Sequence, residues 1–344
     1  MTKKVILTIL ALLLVCCVWQ RDLLGYAASQ AKGQLSIVMN AQPIEKCLAD
    51  STLPDSLRNG LQLVQDVRRF AFDSLGIPKS DNYTTFYDQH GQPVLWVITA
   101  SKPYELKAKE WCFPLLGCFS YKGFFNKEAA LAEEEALKAD GYEVLVEVVN
   151  GWSTLGWFKD PVLSNMLKRS EGGLASLIVH ELTHGVLYVK DSVTFNENLA
   201  TFVGEQAALQ FMATKYGRDT YEYQQYANNK SDYDKYCSHI LNGATKLDSL
   251  YASFNEQQAD STKSRLKKEC IGNIFARLDT VSFIFPELYL NHFSPDNYPS
   301  NTYFMSYRRY RSQQNMFDKQ FRGEYKGDFK KYLAYLKKAY PRSL

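Results

Sequence analysis

The chain has 344 residues and a formal net charge of +3, from 40 Lys+Arg against 37 Asp+Glu. With 46% hydrophobic and 14% aromatic residues it can bury enough apolar surface to offset its ordering entropy, which excludes intrinsic disorder. Near-neutral charge gives no electrostatic basis for binding nucleic acid.

Lys3 and Lys4 precede an apolar run from Val5 to Trp19, which Arg21 and Asp22 close. A basic start followed by an apolar core is the pattern of a secretory signal or a signal-anchor, so 1–25 is set apart from a single domain over 26–344. Cys16 and Cys17 add a third route, lipidation after cleavage, although Leu14-Val15 is a poor match to the small residues that precede a lipidated cysteine. The lysines place the remainder outside the cytoplasm, so the expectation is a membrane-anchored bacterial protein exported to the periplasm or cell envelope. Among the other cysteines there is no C-x-x-C pair; Cys112 and Cys118 either close a small loop or remain two thiols.

Beyond the anchor, 25–48 and 56–72 carry apolar residues at helical spacing. Short extended runs follow at 84–87 and 94–100, each bounded by turn residues. Residues 126–140 read as a helix ending at Gly141, with Glu133, Glu134 and Glu135 on a solvated face. Residues 142–149 alternate and are rich in β-branched side chains, as a strand requires. No proline occurs between Pro161 and Pro286, and that stretch is mostly helical in pattern. The expected fold class is α+β and predominantly helical, with a small sheet preceding a helical hairpin.

The chemistry concentrates at 180–184, His-Glu-Leu-Thr-His. On a helix, positions i and i+4 share a face, so His180 and His184 can present two imidazoles to one metal ion. Glu181 is then placed to take a proton from water held there. A third ligand is needed. The turn at Lys190–Val193 leads into a second helix that folds back on the first, bringing Glu197 level with the histidines. Thr194-x-x-Glu197 is also a capping box, a local alternative for the same carboxylate. Glu205 lies eight residues on, about 80° around the helix, suited to holding a ligand histidine, with Asn196 as a second supporting residue.

The stretch from His180 to Glu205, HELTHGVLYVKDSVTFNENLATFVGE, resembles the signature of a bacterial family of zinc aminopeptidases of gluzincin type. Residues 25–48, 112–125 and 152–163 are also similar to that family's pattern. The resemblance implies one zinc ion on His180, His184 and Glu197, Glu181 as the catalytic base, a peptide substrate, and a membrane or lipoprotein anchor. Many gluzincins carry Asp four residues after the glutamate ligand; here that position is Thr201.

A tetrahedral oxyanion needs a donor. Tyr307 and Tyr310 are candidates because a phenol donates without adding charge, against the alternative that both are packing residues. His90, His239 and His292 are weaker candidates. The strand at 142–149 is expected to pair with substrate backbone by β-addition. Gly156 would permit close approach there, and Trp157, with Trp152, would line a side-chain pocket or belong to the core. Glu147 and Glu205 are the carboxylates that could hold a substrate's free amine. The basic C-terminal stretch from Lys319 to Arg342 reads as a helix packing its Tyr and Leu on the core, with a membrane-surface role as the alternative.

Overall fold

The computed structural model describes residues 21–113, 117–149, 159–190 and 192–340. Helix α1 (Arg21–Asn40) opens the described chain and stops where Pro43 removes a helical N–H. The helix expected through Leu48 is therefore two helices, α1 and α2 (Ile44–Ala49), separated by a short strand β1 (Gln42–Pro43). Helix α3 (Asp55–Phe70) continues into a π-turn at Ala71–Leu75, which ends on Gly76 at φ +80°.

Strands β2 (Thr85–Tyr87), β3 (Trp96–Ser101), β4 (Trp111–Phe113), β5 (Gly117–Phe119) and β6 (Lys122–Phe124) follow. Helix α4 (Lys127–Ala139) begins where the Asn126 side chain accepts from the Ala129 N–H, and Gly141 at φ +76° turns the chain into strand β7 (Glu143–Val148). Strand order β6-β3-β7 is antiparallel throughout and pairs Ile98 with Val146 and Val97 with Glu147. Ile98, Ala100 and Phe124 from this sheet bury against Ala130 and Leu137 of α4. Among the described residues strand β7 lies at the sheet's edge and pairs with β3 alone. Glu133 is not simply solvated: it accepts from Trp111 Nε1 at 2.9 Å and pairs with Lys122 at 2.8 Å, tying α4 to β4 and β6. Cys112 and Cys118 form a disulfide across the β4–β5 hairpin.

Strand β8 (Val162–Leu163) pairs in parallel with β2, and a 3-10 turn at Ser164–Lys168 leads to helix α5 (Glu171–His184). Ser170 caps α5 by accepting from the Gly173 N–H at 3.2 Å. Helix α6 (Val193–Tyr216) returns along α5, and Leu174, Ile178, Leu182, Leu199, Phe202 and Val203 place the pair in the main core. Helices α7 (Tyr221–Ala252) and α8 (Asp260–Ala276) build a second core with Phe304 of helix α9 (Asn301–Arg311). Helix α10 (Gln314–Asp318) and helix α11 (Phe329–Ala339) complete the chain. Phe329, Tyr332, Leu333 and Leu336 of α11 are buried in the main core, so its apolar face is covered by protein. The fold is α+β with helix dominant, as the sequence pattern predicts. No helix among the described residues is long and apolar enough to cross a membrane; the run from Val5 to Trp19 lies outside them.

Candidate metal centre

Helix α5 is buried through its second half because the hairpin partner covers it, and its last turn delivers His180 and His184 to one face. Their Nε2 atoms lie 3.1 Å apart. Glu197, in the second turn of α6, brings Oε2 to 3.3 Å from His180 Nε2 and 3.6 Å from His184 Nε2. The side chains are 15%, 5% and 18% exposed for His180, His184 and Glu197, so the three donors are mostly buried yet still reached by solvent. A tetrahedral zinc ion with bonds of about 2.1 Å sets its ligand atoms roughly 3.4 Å apart. The observed triangle has those edges, and two imidazole nitrogens facing one carboxylate oxygen is a donor set that a divalent cation satisfies. The residues present therefore fit the metal that the motif implies.

Burial alone would raise the Glu197 carboxyl, but hydrogen bonds from His180 and His184 hold it well below the usual range. Burial opposes protonation of His184, and Glu197 outweighs it and raises the imidazole. The Thr201 hydroxyl stands 3.4 Å from His180 Nδ1, the atom that fixes which ring nitrogen is left for a metal. Thr201 thus occupies the place where Glu205 was expected to act. Glu205 instead pairs with Arg311 at 2.5 Å and Lys230 at 3.1 Å, because α7 and α9 cover that side of α6. The capping-box alternative for Glu197 fails for a local reason: α6 begins at Val193, which puts Thr194 inside the helix. Asn196 does not touch the imidazoles either. Its amide accepts from Val189 N–H and donates to Val189 C=O, both at 2.8 Å, pinning the inter-helix loop onto α6. Helix α5 ends at His184, with Gly185 following as its C-cap.

Glu181 is 9% exposed, and its carboxylate makes no hydrogen bond or ion pair among the described residues. Its charge is felt by Tyr121 and Tyr310, as is that of Glu197. Burial, and next the Glu197 charge, push both phenols well above their ordinary range and keep them protonated donors. Tyr310 remains 37% exposed at the mouth of the site. Tyr307 is placed elsewhere, in a second-core cluster where its hydroxyl lies 3.2 Å from that of Tyr303, which is 2.5 Å from that of Tyr236. His239 Nε2 is engaged with Ile274 C=O at 2.7 Å, and His90 and His292 lie at the surface. Burial raises the Glu147 carboxyl, with Arg309 opposing. Gly156, Trp157 and Trp152 lie outside the described residues.

Three features of the site escaped the sequence reading. Gly204 lets α6 approach α5, since a Cβ there would stand 2.5 Å from Ser176 C=O and 3.2 Å from His180 Cβ. Asn198, fully buried beside Glu197, donates to Thr194 C=O at 2.8 Å and Arg309 C=O at 2.7 Å and accepts from Gln313 N–H at 2.8 Å. It thereby fastens the end of α9, which carries Tyr310, to the helix that carries Glu197. Tyr121, from the turn after β5, closes the site from the sheet side. The only local signals were the flanking Asn in Asn196-Glu197-Asn198 and a glycine inside an apolar helical run.

A helical hairpin carrying a His-Glu-x-x-His helix and a facing glutamate defines the class. Residues 25–341 match the family described as "Putative aminopeptidase", and the chain belongs to that family. No curated protein and no solved structure matches the chain.

Proposed function

We propose that the protein is a zinc-dependent aminopeptidase of gluzincin type, exported and held at the membrane by its N-terminal segment. The observation that carries the reading is the triangle of His180 Nε2, His184 Nε2 and Glu197 Oε2, with edges of 3.1, 3.3 and 3.6 Å. Those three residues hold the ion, which when bound supplies a Lewis acid that acidifies water and polarises a carbonyl. Glu181 takes the proton from the attacking water and returns it to the leaving amine; a mostly buried carboxylate beside the ligands, unengaged among the described residues, suits both transfers. Tyr310 donates its phenolic hydrogen to the oxyanion as charge develops there, with Tyr121 as a second donor close by. The edge of β7 that is free among the described residues pairs with substrate backbone, and Glu147 on that strand receives the free amine.

A structural metal site would close its fourth position with protein. Glu205 is the carboxylate nearest along α6 for that purpose, and its engagement with Arg311 and Lys230 favours the catalytic reading. The test is zinc content of the purified chain beside Glu197→Gln, with hydrolysis of free and N-terminally blocked peptides. One zinc per chain, lost in Glu197→Gln, with cleavage of free peptides only and none by Glu181→Gln, is the expected result. No zinc uptake by the wild type refutes the reading.

A further inference from the structure

A second cavity, of about 610 Å³, opens between the segment at Leu106–Ala108, α7 and α9. Its lining residues are chain neighbours of residues at the candidate metal centre. Ser120 lines the cavity and Tyr121 the centre; Arg309 lines the cavity and Tyr310 the centre. Thr194 lines it one turn before Glu197, about 60° around α6 and roughly 4.5 Å along it. Each of three elements thus gives adjoining residues to both places.

The cavity is cationic. Lys107, Arg308 and Arg309 line it, and no carboxylate does among the described residues. Arg308 is neutralised by Asp248. Lys107 and Arg309 have no carboxylate within 4.0 Å among the described residues. The Arg309 guanidinium is held in place without being consumed: one nitrogen donates to Ser120 C=O at 3.3 Å, and the group lies 5.4 Å from the Tyr121 ring centroid. Among the described residues its other N–H groups make no hydrogen bond, its charge also acts on the Glu147 carboxyl without an ion pair, and a fixed guanidinium is matched to a carboxylate.

Resting on the peptidase reading, we propose that this cavity is a carboxylate-binding subsite, so that the enzyme prefers peptides with a negative charge in the part that extends from the centre along α9. The carboxylate is either the C-terminus of a short peptide or an acidic side chain. Charge-assisted bonds of this kind change affinity by about tenfold or more.

The test uses the full-length, zinc-loaded Glu181→Gln chain and equilibrium binding of four probes: Leu-Gly-Gly, its C-terminal amide, Leu-Gly-Glu amide and Leu-Gly-Gln amide. The expected result is about tenfold tighter binding of a charged probe than its neutral partner, lost in Arg309→Gln and reduced in Lys107→Gln. Preference for the first probe over the second identifies the terminal carboxylate; preference for the third over the fourth identifies the side chain. Lys107 is exposed, so its variant carries the test if Arg309→Gln fails to fold. Equal binding of all four probes, binding of none, or a preference that survives in both variants overturns the proposal. Wild-type enzyme that cleaves all four at one rate overturns the subsite and leaves the peptidase; wild-type enzyme that cleaves no peptide refutes the peptidase itself.

Discussion

Replacing Gly204 with alanine tests whether the close approach of α5 and α6 sets the metal centre. A Cβ at Gly204 would stand 2.5 Å from Ser176 C=O and 3.2 Å from both His180 Cβ and His180 N. The 2.5 Å contact is with backbone, so no side chain can swing away, and the helices must part by roughly 0.9 Å to reach ordinary separation. Overpacking of that size costs about 1–3 kcal/mol, while the better helix propensity of alanine returns about 1 kcal/mol. The expected net loss in denaturant unfolding is therefore between zero and about 2 kcal/mol. The larger effect falls on the centre, because His180 moves with α5 while Glu197 moves with α6. Their 3.3 Å separation and the 3.4 Å contact of Thr201 with His180 both lengthen, and zinc affinity drops about tenfold or more by chelator competition. Gly25→Ala is the control: it is also in a helix, with nothing within 4 Å of the added carbon, and it leaves zinc affinity unchanged. A Gly204→Ala chain as stable and as tight for zinc as the wild type would refute the reasoning.

Three further outcomes follow from the same geometry. Tyr310→Phe lowers kcat about 10²-fold or more while zinc content and KM hold, in steady-state assays on a free peptide; an unchanged kcat removes Tyr310 from the chemistry. Asn198→Ala strips bonds from three backbone groups, Thr194 C=O on α6, Arg309 C=O on α9 and Gln313 N–H just beyond α9, so it costs about 1–3 kcal/mol of unfolding free energy and lowers kcat in the chains that still fold. Glu205→Gln alters the acid limb of stability: burial alone would raise this carboxyl, but Arg311 and Lys230 hold it low. The contribution is complete above the ordinary carboxylate value of about 4.3 and fades as pH falls from there through the lower folded value, so Glu205→Gln destabilises at neutral pH and the gap to wild type narrows in acid. A pH-independent gap counts against the ion-pair account.

The parts of the centre readable in the sequence are those set by helical period. His180 and His184 share a face because they are four residues apart, and Glu197 meets them because a short turn forces an antiparallel return. The residues that missed are governed by contacts between distant segments. Glu205 had a plausible angle on α6, but Lys230 and Arg311 come from helices whose packing no local pattern announces. Tyr307 and Tyr310 looked equivalent in sequence; three positions around α9 send one to the tyrosine cluster of the second core and the other to the mouth of the centre. Pro43 was a visible stop within the first helix, and its missing N–H outweighed the apolar spacing on either side.

This division has a functional consequence. The donor triangle belongs to one hairpin, built from residues seventeen apart at most in sequence, while the groups that meet substrate come from the turn after β5, from β7 and from α9. Among the described residues, Asn198 and the Glu205–Arg311 pair couple α9 to the hairpin through polar contacts close to the ligands. Substitutions at His180, His184, Glu197 and Thr201 should thus be read in metal content, and those at Glu181, Asn198, Arg309 and Tyr310 in kcat and substrate preference with the metal still bound. Loss of zinc on truncating Tyr310 would mean that α9 supports the ligands themselves, and the separation of metal binding from substrate handling would fail.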